Sequence, residues 1–287
     1  VIDPTPNSSI PEFVPKLIAL DLDGTLLDQN GRMSDRSVSA ITCVTQAGHR
    51  VVLATGRPPE MAFRATTKLA GIATHIVGGN GSVISTFPET SDDDPVLIHL
   101  VGFPLTDAMV IVGHLRSVDA EFRFALASDA GFAHEPGFAE LMPAAVHNDS
   151  VADVTTVDGT MAFKLLAFHP AKSVHDLLTV IPALIKDLPL AGTARYAVSH
   201  MGADAVEIGP AEADKCAGLQ WLCAHLGVTQ ADVIALGDEW NDLTMLEWAG
   251  RGVAMGNADR RVQAAANETI GANTDEGIAD FLDSLLA

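Results

Sequence analysis

One stretch constrains this chain more than any other: Lys16-Leu17-Ile18-Ala19-Leu20-Asp21-Leu22-Asp23-Gly24-Thr25. An aliphatic run bounded by glycine reads as a strand buried in a parallel sheet. At its carboxyl end stand two aspartates separated by one residue. In extended chain, residues two apart point to one face, so Asp21 and Asp23 can converge just beyond the strand. Ligands of open α/β sheets bind at that edge. Two carboxylates so close repel unless a cation or a shared proton compensates them. The pattern suggests metal-assisted chemistry, with one carboxylate as nucleophile and the other as general acid and base. Alone, Asp-x-Asp-Gly also makes an ordinary turn, so the rest of the chain must decide.

A chain of 287 residues is long enough for one large or two moderate domains. Its 48% of hydrophobic residues allow a substantial core. The formal net charge of -20 argues against a reader of nucleic-acid backbones, which needs a basic surface. It leaves open a small phosphorylated substrate, because a metal and a lysine can invert the local potential. The three cysteines, Cys43, Cys216 and Cys223, form no Cys-x-x-Cys. They point to neither a disulfide framework nor a zinc site, and a reducing cytoplasm fits. No apolar run reaches the length of a membrane span. Residues 1–15, rich in Pro, Ser and Asn, read as a flexible leader rather than a signal peptide.

Strands and helices alternate after the first strand. Ser34 is placed to cap a helix to about Gln46, with Gly48 as its stop. Arg50 to Ala54 reads as a second buried strand, ending in Thr55-Gly56-Arg57, and a helix follows from Pro58 or Pro59. His75 to Val77 reads as a third strand, with Asn80-Gly81 turning the chain back. This is the grammar of a doubly wound α/β domain. The loop from Phe87 to Pro95 marks a boundary, and the mixed pattern up to residue 197 reads as an inserted α/β domain. The expected division is 16–88 and 198–287 for the core and 89–197 for the insertion. The core grammar resumes with a short strand from Ala205 to Ile208 and a helix from Asp214 to Leu226. A strand from Val233 to Leu236 then ends in Gly237-Asp238-Glu239-Trp240-Asn241-Asp242.

Polar clusters therefore follow three strands: Asp21 and Asp23, Thr55 and Gly56, and Asp238 with Asn241 and Asp242. In a parallel sheet all of them share one edge. Each has a bland explanation of its own. Thr55 and Asp238 can cap helices, Asn241 can lie on the surface, and a lysine such as Lys215 is usually a solvated charge.

Together, Asp21-Leu22-Asp23-Gly24-Thr25, Thr55-Gly56-Arg57, Lys215 and Gly237-Asp238-Glu239-Trp240-Asn241-Asp242 resemble, in order, the four motifs of the haloacid dehalogenase superfamily. The closest resemblance is to its Cof-type, or type IIB, sugar-phosphatase-like hydrolases. Asn80-Gly81, Val253 to Ala258 and Asn273 to Ile278 add to it. The resemblance implies a Rossmann-like core with a cap domain inserted between the second and third motifs. It implies a Mg²⁺-dependent phosphatase acting on a small phosphomonoester, with Asp21 as the nucleophile and Asp23 as the acid and base. Thr55, Gly56 and Lys215 would bind the phosphate, and Asn241 would help hold it or orient Asp238. Asp21, Asp23 through its main-chain carbonyl, and Asp238 would bind the metal, while Asp242 would reach it through water or pair with Lys215. Arg57 and Asn80 are further candidates for contacts with substrate or loop.

The sequence departs from the family's pattern in two places. Cys216 follows Lys215 where glycine is common, and Trp240 stands within the fourth motif, as a helix-packing or pocket residue. In the insertion, Arg123, His169, Arg195, Tyr196 and His200 are candidate substrate contacts. A phosphomutase keeps the same nucleophile and is the nearby alternative. A non-catalytic phospho-ligand sensor is the distant one.

Overall fold

The computed structural model describes residues 16–138, 153–191, 195–200 and 205–287, so the leader expected over 1–15 lies outside the described residues. In chain order the first sheet takes β1 (Leu17–Leu20), β2 (Arg50–Ala54), β3 (His75–Gly78), β4 (Val83–Thr86) and β5 (Leu97–Leu100). A second sheet takes β6 (Phe103–Pro104), β7 (Arg123–Ser128), β8 (Gly131–His134), β9 (Met161–Phe168), β10 (Tyr196–His200) and β11 (Ala205–Pro210). The chain then returns to the first sheet with β12 (Val233–Gly237), β13 (Arg251–Ala254) and β14 (Glu268–Thr269).

The first sheet runs β14-β13-β12-β1-β2-β3-β4-β5, with β1 near its middle. Strands β14 to β3 are all parallel, and β4 and β5 are antiparallel additions. All four residues of β1 are buried, as its unbroken aliphatic run requires of a strand covered on both faces. Ile18, Leu20, Val51 and Leu53 pack against one layer, which includes α1 (Asp35–Gln46), α2 (Pro59–Ala65) and α8 (Gly277–Ser284). Leu17, Ala19 and Val52 pack against the other, with α5 (Lys215–Leu226), α6 (Leu243–Trp248) and α7 (Arg260–Ala265). Strand alternation thus feeds two separate cores.

Capping sets the start of α1 and both ends of α5 where the sequence placed them, whereas α2 ends at Ala65, short of the Ala70 its sequence suggested. The Ser34 side chain accepts from the Ser37 amide at the start of α1. Asp214 accepts from the Ala217 amide at the start of α5, and Gly227 ends that helix in the left-handed conformation at φ 68°. Lys215 is therefore the first residue of α5.

The second sheet is antiparallel, ordered β10-β11-β9-β7-β8, with β6 on β9. Helices α3 (Leu105–Val118) and α4 (Val174–Ile185) cover one face, packing on Phe124, Leu126, Leu165 and Ala167. Sheet membership differs from the division expected at 89–197. Residues 87–96 only connect the β4–β5 hairpin, so β5 still belongs to the first sheet. The chain crosses at Val101 and Gly102. Strand β11, read from the sequence as a core strand, instead pairs with β9 and β10 in the second sheet. It is buried along its whole length, which gives it the aliphatic look of a parallel strand.

Candidate active site

Asp21 directly follows β1, and its amide donates to the Leu236 carbonyl of β12 at 3.0 Å. Its carboxylate is buried, and one oxygen accepts from Lys215 Nζ at 2.6 Å. The same ammonium donates to Asp242 Oδ1, also at 2.6 Å. Lys215 is 1% exposed. It sits at a helix N-terminus, where the peptide dipoles disfavour a cation, so the two carboxylates must hold its charge. Burial works against the ammonium, but Asp21 and Asp242 outweigh it and keep its pKa above the ordinary lysine value.

The loop after β12 is organised by Asp242. Its Oδ2 accepts from the amides of Asp238 and Glu239, each at 3.0 Å. A β-carbon at Gly237 would lie 2.5 Å from the Asp242 carboxyl carbon, so no side chain fits there. Asp238 is buried, and its Oδ1 accepts from the Thr25 hydroxyl at 2.6 Å. Gly24 has a φ of +90°, and a β-carbon there would stand 2.2 Å from Asp238 Oδ2. The glycine after the second aspartate thus lets the β1 and β12 loops meet.

Oxygens of Asp21, Asp238 and Asp242 all lie within 4.8 Å of one another. Burial raises the Asp21 pKa well above the carboxylate range, and Asp242 raises it further. Burial likewise pushes Asp238 up to about 6. Three crowded carboxylates facing one ammonium make a hard oxygen donor set that a divalent cation would satisfy.

Asp23 is more exposed and stands apart from this cluster. Both its oxygens accept from Arg57, from Nε at 2.8 Å and from Nη2. Arg57 belongs to the loop after β2. There Thr55 is buried, and its hydroxyl oxygen accepts from the Arg57 amide at 3.1 Å. The Asn80 amide donates to the Thr55 carbonyl at 3.0 Å, and Asn241 Nδ2 donates to Asn80 Oδ1 at 3.0 Å. Asn80 has a φ of 55°, a left-handed conformation that asparagine tolerates. The structure therefore brings Asp21, Asp23, Thr55, Gly56, Arg57, Asn80, Lys215, Asp238, Asn241 and Asp242 to one edge of the sheet.

Three residues within the quoted motifs received no role from the sequence. Thr25 orients Asp238. Asn257 Nδ2 donates to the Gly24 carbonyl at 2.8 Å, and its Oδ1 accepts from the Asn273 amide at 3.0 Å. Asn273 Nδ2 in turn donates to the Leu27 carbonyl at 3.1 Å. The legible signal was polar residues just past β13 and β14, on the same sheet edge. Trp240 is neither a helix-packing residue nor deeply placed. It is 49% exposed, with the Arg261 guanidinium 5.0 Å from its ring centre.

Several candidates in the second domain are engaged elsewhere. Arg123 donates to the carbonyls of Ala120 and Phe122. His169 bonds Asp119, and Tyr196 donates to Asp107 at 2.8 Å. Arg195 lends its carbonyl to the Ala211 amide, and His200 is exposed.

A doubly wound sheet, an inserted α/β domain and this edge of carboxylates, lysine and threonine define a hydrolase of the haloacid dehalogenase type. The sequence model of haloacid dehalogenase-like hydrolases matches residues 18–282. A 5-amino-6-(5-phospho-D-ribitylamino)uracil phosphatase of Bacillus subtilis is 31% identical over 281 residues, covering 94% of this chain and 97% of the relative. A pyridoxal phosphate phosphatase of Escherichia coli is 28% identical over 289 residues, covering 94% and 98%. Among solved structures, a haloacid dehalogenase-like hydrolase from Bacteroides thetaiotaomicron superposes with a TM-score of 0.79 at 25% identity, covering 95% of this chain and all of that one. The chain belongs to the haloacid dehalogenase-like hydrolases, as an enzyme of the phosphoric monoester hydrolase class.

Proposed function

We propose that this protein is a Mg²⁺-dependent phosphatase that hydrolyses a small phosphomonoester, a sugar phosphate or a related metabolite, through a phosphorylated Asp21. The observation that carries this reading is the Asp21 carboxylate, buried beside Asp238 and held by Lys215 at 2.6 Å. Its lysine bond fixes one oxygen and leaves the other to attack phosphorus. The relatives' phosphorylated substrates, a ribitylamino-uracil and pyridoxal phosphate, set the size class.

In the first step an Asp21 oxygen bonds to phosphorus and the ester P–O bond breaks. Asp23 gives its proton to the departing alkoxide. In the second step Asp23 takes a proton from water, the water oxygen bonds to phosphorus, and the bond to Asp21 breaks. Inorganic phosphate leaves and Asp21 is regenerated. The Thr55 hydroxyl, the Gly56 amide, Asn241 and Lys215 hold the phosphoryl oxygens, and positioning with charge neutralisation supplies most of the rate. A divalent cation held by Asp21, Asp238 and the Asp23 carbonyl would neutralise phosphate charge and allow the carboxylates to be ionised together. In the structure Arg57 holds Asp23. An arriving phosphate competes for that guanidinium and releases Asp23 for its proton transfers.

The test is phosphate release from a panel of phosphomonoesters, with Mg²⁺ and with chelator, beside Asp21→Asn. Cation-dependent release that the variant loses supports the reading. Retained turnover in the variant removes Asp21 as nucleophile, and a stable phosphoprotein without turnover points to a sensor instead.

A further inference from the structure

Strand β9 carries a lysine inside an otherwise apolar run, Met161-Ala162-Phe163-Lys164-Leu165-Leu166. Its register against β7 pairs Lys164 with Ala127 but Ala162 with Ser128, leaving Phe163 as an extra residue. Such a bulge bends the strand and re-aims its side chains. Phe163 packs on Val83 of the first domain. Lys164 also reaches the first domain, where its Nζ donates to the Gly56 carbonyl at 2.7 Å. The same ammonium pairs with Glu207 of β11 at 2.7 Å, and both side chains are buried. Glu207 in turn lies 3.4 Å from Asn80 Nδ2 through each of its oxygens.

The network therefore ends on the 55–57 loop and on Asn80, which bonds Asn241; Thr55, Gly56 and Asn241 are the groups proposed above to hold phosphate. Fixing the Gly56 carbonyl fixes the plane of the peptide it shares with Arg57, whose N–H donates to the Thr55 hydroxyl oxygen. A hydroxyl that accepts there keeps its own proton for an anion. At the other end Glu207 steadies Asn80, which accepts from Asn241.

We propose that Lys164 and Glu207 are positioning residues of the phosphate site: an ion pair supplied by the inserted domain that sets the 55–57 loop and the Asn80–Asn241 pair when the two domains are closed. Phosphate affinity and domain closure are then coupled through a contact that never touches substrate. The inference rests on the phosphatase reading for its meaning in turnover, but its binding consequence stands apart.

Removing one partner of a buried pair leaves the other charge uncompensated. In Lys164→Met that remaining charge is the Glu207 carboxylate, near where an anion must bind. The test measures calorimetric affinity for inorganic phosphate with Mg²⁺, kcat and KM, and melting temperature. It compares wild type with Lys164→Met, Glu207→Gln and the Lys164→Met/Glu207→Gln pair. The expected loss in Lys164→Met is on the order of a hundredfold in phosphate affinity and in kcat/KM. The double variant should regain about tenfold of it, because the stranded carboxylate is gone. Glu207→Gln, which keeps the side chain's shape and an oxygen that can accept from Lys164, should lose roughly tenfold in phosphate affinity and lower the melting temperature while still folding. That variant carries the test if Lys164→Met does not fold.

Phosphate affinity within threefold of wild type in the folded variants overturns the inference, as does a loss of turnover with affinity intact. Absence of turnover in the wild type refutes the phosphatase reading alone, because phosphate binding still reads the coupling.

Discussion

Replacing Lys215 by methionine tests the electrostatics of the site most directly. Methionine keeps most of the volume and removes the charge. Asp21 and Asp242 would then face each other without the ammonium that now bonds both at 2.6 Å. Asp21 already carries a raised pKa from burial and from Asp242. Breaking a buried charge arrangement by deleting one member costs about 3–5 kcal/mol. Marginal stability is about 5–15 kcal/mol, so the variant should fold but weakly, with a melting temperature lowered on the order of 10 °C. The loss should shrink at low pH, where the stranded carboxylates take up protons. It should also shrink in Lys215→Met/Asp242→Asn, which removes one of the two charges. Activity should stay lost in both variants, because the phosphoryl group has no lysine to meet. Thermal unfolding in chelator at several pH values, followed by phosphate release with Mg²⁺, reads both effects. A single variant as stable as wild type at neutral pH would show that the lysine does not compensate these carboxylates, and the account of the site would fail.

Stability of the cation-free protein should fall as pH rises from about 4 through about 6. Asp21 and Asp238 hold protons in the folded chain that the unfolded chain releases. Added Mg²⁺ should therefore raise the melting temperature more at about pH 7.5 than at about pH 4.5, and an equal gain at both would contradict the proposed ligands. Gly24→Ala should cost at least roughly a hundredfold in kcat/KM, since its β-carbon would strike Asp238, and titration with Mg²⁺ should show weakened binding. A thiol reagent should find one reactive cysteine in the native protein. Cys43 is exposed, whereas Cys216 and Cys223 are buried with thiols pushed up to about 11, and three fast equivalents would refute that placement.

Much of the core was legible because its signals are local. The Ser34 and Asp214 caps, the Gly227 stop and the aliphatic β1 and β12 each follow from a few adjacent residues. Thr55 and Asp238 could be gathered because parallel strands end on one edge, whereas Lys215, at the start of a helix, was gathered only through the motif resemblance. The boundary of the insertion was harder to read. A Pro- and Asp-rich loop looks the same whether it joins two domains or turns a hairpin, and only pairing shows that β5 stays with β4. Strand β11 misled because burial on both faces erases the alternation that marks an antiparallel strand. Lys164 was invisible for a related reason. A lysine within an apolar strand gives no hint of which charge lies across the domain interface, and the bulge that aims it exists only in the pairing.

The inserted domain leaves the first sheet after Val101 and rejoins it after Pro210, just before the helix that begins with Lys215. It is therefore a graft with two stems, and one stem runs straight into the helix whose first residue, Lys215, bonds Asp21. An exchange of this segment with a relative's would bring in the donor's own inserted-domain side chains. The chimera would also inherit whatever the donor places opposite Gly56 and Asn80. Recombination at these stems should then yield active hybrids only where both halves of that contact arrive as a matched set, so the seam between old and new sequence is constrained by chemistry as well as by shape.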